Sequence, residues 1–183
     1  MIPVLFRSAT ADSLIECPEN MQITKHFKLY ELANTSGKKD EEQYIISSNS
    51  ILFMNMIEDF RELYAKPIAP TSCFRQKDFN ASVGGDPRSA HLQACALDFV
   101  DKYSVNYFNV VSYWLQVCRN AYNTGSVNIY KEGNYYRYHL ESFSDKFYGY
   151  EESHIRCYVS QDMTKKLKER FTPLGYEVTY NGK

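Results

Sequence analysis

His91 and Asp98 stand seven positions apart in Ser89-Ala90-His91-Leu92-Gln93-Ala94-Cys95-Ala96-Leu97-Asp98, with mostly small residues between them. An imidazole and a carboxylate so placed can share a proton or a metal ion. The run from Ala94 to Val100 reads as a short apolar strand in which Asp98 is the only charge. A carboxylate there needs a partner, because an unpaired buried charge is costly. Taken alone, this pair is better explained by a hydrogen-bonded structural histidine. Upstream, Asn80-Ala81-Ser82-Val83-Gly84-Gly85-Asp86 is rich in residues that let a backbone turn sharply.

The elements that must position these groups are short. Lys25 to Leu32 reads as a helical turn anchored by Phe27, Leu29 and Leu32, followed by a polar segment, Asn34 to Gln43, that suits a flexible insertion. Asn49 or Ser50 can cap a helix over Ile51 to Tyr64, with Leu52, Met56, Phe60 and Leu63 as its buried stripe. Lys66-Pro67 stops it, and Ile68 to Phe74 is extended, ending at Arg75. A second amphipathic helix covers Val105 to Tyr122, with Phe108, Val111, Leu115 and Cys118 on one side. Ser126–Tyr130 and Tyr135–Phe143 form a hairpin around Lys131-Glu132-Gly133-Asn134, and its second strand carries His139. A strand over 154–159, a basic helix from Asp162 to Phe171 and a strand from Tyr176 to Tyr180 complete the chain. The expected fold is α+β, a single domain with a small, mostly antiparallel sheet flanked by helices.

Composition excludes several classes. The chain has 183 residues, 44% hydrophobic and 23% charged, which fits one globular domain rather than a disordered chain. Lys plus Arg number 21 against 22 Asp plus Glu, so nothing in the charge points to nucleic acid. Met1 to Arg7 lacks the basic start and apolar length of a secretory signal, and no run approaches the roughly 20 apolar residues of a membrane span. A protein that is cytoplasmic as synthesised is therefore expected, and a monomer. Its five cysteines, without a CxxC pair, read as reduced and mostly buried thiols. The 16 Tyr and 11 Phe can line a cleft or pack a core.

Four ordered motifs resemble a known family, the M15 peptidases, which include zinc D-Ala-D-Ala carboxypeptidases and phage endolysins. Phe27-Lys28-Leu29-Tyr30-Glu31-Leu32 is similar to its F-x-L-x-E-L opening. Lys66-Pro67-Ile68 with Thr71-Ser72-Cys73-Phe74-Arg75 resembles K-P-I…T-S-G-Y-R. Asn80 with Val83-Gly84-Gly85 matches N-x-x-V-G-G, and Ser89 to Asp98 matches S-x-H-x-x-G-x-A-x-D, with Ala94 where the pattern has Gly. The resemblance spans about residues 26–143 and implies an M15 (hedgehog-like) peptidase fold for a core over residues 24–143; residues 1–23, read as an N-terminal arm, and 144–183, read as a strand-helix-strand extension packed on the core, lie outside it. It implies a zinc at the sheet, held by His91, Asp98 and His139, with a fourth position left for water. His154 and His26 are weaker rivals for the third place.

The same resemblance gives Arg75 the task of contacting substrate and stabilising a developing oxyanion, against the plainer alternative of a salt bridge to Asp78 or Asp86. Ser89 either supports the His91 loop or contacts substrate. Many M15 members carry the general base as an acid three residues before the last zinc histidine, or a histidine two before it; here Tyr136 and Arg137 stand at those positions. Glu141, two residues after His139, shares its strand face and is the remaining base, unless it pairs with Arg137. The implied function is hydrolysis of a peptide bond in the stem peptide or cross-link of bacterial peptidoglycan, as in a phage or prophage lysis enzyme acting on the wall after release. The rival readings are a zinc-containing peptidoglycan-binding or phage structural module that has lost its base, and an interaction domain whose histidines are structural.

Overall fold

A computed structural model of the chain describes residues 2–7, 12–32, 44–142 and 153–182. Residues 1–23, expected as an arm, contain two strands, β1 (Ile2–Arg7) and β2 (Asp12–Cys17), paired antiparallel. The strand β3 (Tyr44–Ser47) adds to β1 in parallel. That partner lies far along the chain, and local periodicity does not reveal it. The polar segment Asn34 to Gln43 lies outside the described residues.

After the short α1 (Leu29–Leu32), the main helix is α2 (Ser48–Tyr64). Its cap is Ser47 rather than Asn49 or Ser50: the Ser47 hydroxyl accepts the Ser50 N–H, and the Ser50 hydroxyl returns to the Ser47 N–H. This reciprocal box satisfies two donors that the first helical turn leaves orphaned. The buried stripe is Phe53, Met56, Ile57, Phe60 and Tyr64, while Leu52 and Leu63 are exposed. The expected stripe was thus rotated; the larger aromatic rings take the core side. Phe60 meets Trp114 edge-on and stacks with Tyr64, an arrangement that aromatic quadrupoles favour.

Beyond the edge strand β4 (Pro70–Ser72) and α3 (Lys77–Ser82), the chain enters the sheet centre through β5 (Ala96–Asp101). The helix α4 (Tyr107–Asn120) then packs on α2, Trp114 meeting Phe53 and Phe60, and buries Val110, Val111, Leu115 and Cys118. Trp114, fully buried, donates its indole N–H to the carbonyls of Ser126 and Glu141 at 3.1 and 3.2 Å. It thereby fixes the hairpin made by β6 (Gly125–Glu132) and β7 (Tyr135–Ser142). The last elements are β8 (His154–Tyr158), α5 (Gln161–Phe171) and β9 (Glu177–Tyr180).

The larger sheet runs β4-β5-β7-β6-β8-β9. It is mixed, which corrects the expectation of a mostly antiparallel sheet. The pairs β4–β5, β5–β7 and β6–β7 are antiparallel, whereas β6–β8 and β8–β9 are parallel. For β8 and β9 the reason lies in α5: its apolar side, Met163, Leu167 and Phe171, is buried as it crosses over between them, and such a crossover returns the chain in parallel. All five cysteines are free and buried. Among the described residues no helix is long and apolar enough to cross a membrane.

Candidate metal centre

Strands β5 and β7 pair so that Asp98 lies opposite His139. His91 arrives just before β5, on a 3-10 turn over Ala90–Gln93. Three contacts shape that turn. The Ser89 hydroxyl accepts the His91 N–H at 3.3 Å, the Ser50 hydroxyl donates to the Gln93 carbonyl at 2.8 Å, and the Ala94 N–H closes back on Ala90 and His91. Ala94 is left-handed, with φ of 52°. A β-carbon is strained there, which explains why glycine suits this place in the family pattern.

The His91 ring is buried, and its Nδ1 donates to the Cys73 carbonyl. A carbonyl only accepts, so that contact fixes the proton on Nδ1 and leaves Nε2 as a lone pair. Nε2 sits 3.4 Å from Asp98 Oδ2 and has no hydrogen-bond partner. Burial holds this imidazole below its ordinary pKa, and hence neutral. A nitrogen lone pair facing a carboxylate is repulsive unless a cation joins them. His139 supplies the third group, its Nδ1 lying 2.7 Å from Asp98 Oδ1. Ligand atoms of His91, Asp98 and His139 all fall within 4.8 Å of one another. Two imidazoles and a carboxylate suit zinc, and the orphaned Nε2 is what such an ion would satisfy.

The surrounding charges are tightly coupled. Burial opposes a charged His139, yet Asp98 on one side and Glu141 on the other, 3.1 Å from Nε2, push its pKa up to about 9. Burial alone would raise the carboxyls of Asp98 and Glu141, but the facing imidazoles, joined at Glu141 by Arg156, hold both below the ordinary carboxylate range. Arg75 does not pair with Asp78 or Asp86. It donates from Nη2 to Asp98 Oδ2 at 3.0 Å and from Nε to Ser72 Oγ at 2.7 Å. Arg137 is likewise absent from Glu141; it meets Glu132 at 3.0 Å and lies over the Tyr130 ring. The cation beside Glu141 is Arg156, with Nη1 at 3.6 Å from Oε1. No local pattern marks Arg156. Only the register of β6 with β8, which aligns Asn128 with Arg156, brings it in.

These groups open on a cleft of about 660 Å³, which Ser89, Gly84 and Gly85 also line. A β-carbon on Gly85 would stand 2.2 Å from Asn80 Oδ1, so glycine lets the buried Asn80 amide reach the Asp86 carbonyl and pin the loop. The other histidines lie elsewhere: His154 pairs with Glu177 at 2.9 Å, and His26 bonds Glu58. His26, Glu58 and Glu62 do cluster, but Thr24 and Lys25 already occupy the two carboxylates.

Searches of curated proteins and of solved structures return no match. A sequence model of one family, described as Peptidase M15, matches residues 25–137. That stretch carries Arg75, Ser89, His91 and Asp98 and stops just short of His139 and Glu141. With well over half of its length matched, the chain belongs to the peptidase M15 family.

Proposed function

We propose that the protein is a zinc-dependent peptidase that hydrolyses a peptide bond in the stem peptide or cross-link of bacterial peptidoglycan. A phage or prophage lysis enzyme is a setting that this activity suits. Membership of a family of peptidases, generally zinc-dependent, supports the reading. The observation that carries it is the unpartnered Nε2 of His91, turned on Asp98 beside His139 in the wall of the cleft.

His91, Asp98 and His139 would hold the ion. Zinc supplies Lewis acidity there, polarising the scissile carbonyl and lowering the pKa of a water toward about 7. The rest falls to the chain's own residues. Glu141, ionised at neutral pH and on the same strand face as His139, accepts the proton of the attacking water. Arg75 orients Asp98 and offers its remaining N–H groups to the developing oxyanion. Ser89 fixes the turn that carries His91.

One contact favours a second reading. The hydrogen bond between Glu141 and His139 is the kind by which a carboxylate orients a metal-binding imidazole without doing chemistry. Glu141→Gln separates the two roles, since it keeps an acceptor for His139 but not a base. Zinc-loaded protein and this variant are incubated with purified peptidoglycan, beside a chelated control, and products are read by mass spectrometry. The expected result is chelator-sensitive fragments whose masses identify the bond, with a loss of about 10²–10⁴-fold in the variant at unchanged zinc content. Intact peptidoglycan with one zinc per chain would favour the binding module, and full activity of the variant would make Glu141 an orienting group.

A further inference from the structure

One row of residues crosses the sheet beside the metal centre. Asp98, His139, Asn128 and Arg156 are aligned in register across β5, β7, β6 and β8. The first two belong to the metal centre; the next two also line the cleft. Asn128 is only 9% exposed. Its Nδ2 reaches the Tyr130 hydroxyl at 3.4 Å, while Oδ1 is buried without a hydrogen-bond partner. Exchanging the two ends of the amide would leave a donor unmet instead of an acceptor, so the carboxamide has an unsatisfied group either way. A buried polar atom left so is destabilising. A peptide group, with its N–H and C=O, answers both cases.

Arg156 stands beside Asn128 at the cleft, its side chain 22% exposed and its Nη1 3.6 Å from Glu141 Oε1. On the same face and two residues further on, Tyr158 stacks on Tyr130 with ring centres 4.4 Å apart. The Arg137 guanidinium lies 4.2 Å from the Tyr130 ring centre, so this wall is stiff and cationic. The cleft is lined by three arginines, Arg75, Arg137 and Arg156, against three acids, Asp86, Asp98 and Glu141. Both inner acids face His139, and a divalent ion held there would tip the balance to positive.

We propose that Asn128 and Arg156 form the substrate subsite of this cleft and select a carboxylate-bearing peptide, Asn128 bonding a peptide group and Arg156 pairing with the carboxylate. The proposal deepens, and rests on, the reading of the cleft as a peptidase site. It also gives β8, which lies beyond the stretch matched to the family, a part in choosing the substrate.

The test uses the zinc-loaded full chain and a fluorescein-labelled stem pentapeptide in two forms, one with free carboxylates and one with them amidated. Anisotropy immediately after mixing gives binding, and mass spectrometry of the same samples records cleavage. Wild type should bind the acidic form at least about tenfold more tightly, equivalent to about 1.4 kcal/mol. Arg156→Gln should lose that preference, the ratio of its affinities for the two forms falling to about one. Asn128→Ala should weaken both forms several-fold, and the strand-compatible Asn128→Thr should do the same, each at wild-type zinc content and melting temperature. A preference retained in Arg156→Gln, or unchanged binding by both Asn128 variants, overturns the subsite. Cleavage without these dependences leaves the peptidase reading standing and removes this one. Binding with them but without cleavage does the reverse.

Discussion

Stripped of metal by a chelator, the protein should lose stability as pH rises from about neutral through 9. The cause is His139, held between Asp98 and Glu141, with its pKa lifted from 6.5 to about 9. A group whose pKa is higher folded than unfolded stabilises the fold fully below its unfolded value, and that contribution fades as pH passes its folded value. At roughly 1.4 kcal/mol per pH unit the stabilisation is on the order of 3 kcal/mol. For a domain of this size that corresponds to a drop in melting temperature on the order of 10 °C. Zinc should abolish the dependence, because a histidine that holds the ion must give up its proton. At pH about 7.5, binding should release about one proton, from His139, since His91 is already neutral. Melting curves of chelated and zinc-loaded protein across this range test the first point. Calorimetric zinc titration in two buffers of different ionisation enthalpy counts the protons. Asp98→Asn should flatten the chelated curve. A chelated protein equally stable at pH 6.5 and 9.5, or zinc binding without proton release, would refute the assignment of charge to His139.

Other perturbations probe the scaffold. Ala94→Gly should raise stability by about 1 kcal/mol in urea unfolding, because it relieves a left-handed residue with φ of 52°. Gly125→Ala should do the opposite: its β-carbon would lie 2.1 Å from Cys118 Sγ, and overpacking of this kind costs about 1–3 kcal/mol, read by the same unfolding experiment. Tyr64→Phe removes the hydroxyl that donates to the buried Asp101 carboxylate, leaving it one donor short; a loss of about 1–3 kcal/mol in thermal or urea unfolding is expected.

The helices α2, α4 and α5, the β6–β7 hairpin and the closing strand-helix-strand were legible because each rests on local signals: apolar spacing, a turn sequence, a capping serine nearby. His91, Asp98 and His139 could be named together only because ordered motifs supplied the grouping; spacing alone left His91 and Asp98 ambiguous. The β1–β2 pair and the short α3 were missed although they are local, their residues showing no clear period; the rest of what escaped is non-local. The parallel pairing of β1 with β3 and of β6 with β8 leaves no short-range mark, so the sheet was misjudged and Arg156 went unnoticed. Salt-bridge partners were misplaced for the same reason. Arg75 reaches Asp98, 23 residues away, rather than the acids next to it in sequence.

The placement of β6 between β7 and β8 also constrains the order in which the chain can be built. During synthesis the hairpin can form as soon as β7 emerges, and with it the His91, Asp98 and His139 grouping. The far side of β6 then stays an open edge, carrying Val127 and Ile129, until β8 arrives. An uncapped edge invites pairing with another chain. A ribosome stalled between these two strands would thus display a polypeptide with its candidate metal ligands grouped yet prone to clump. The same late-arriving strand that completes the cleft acts as the molecule's protection against aggregation.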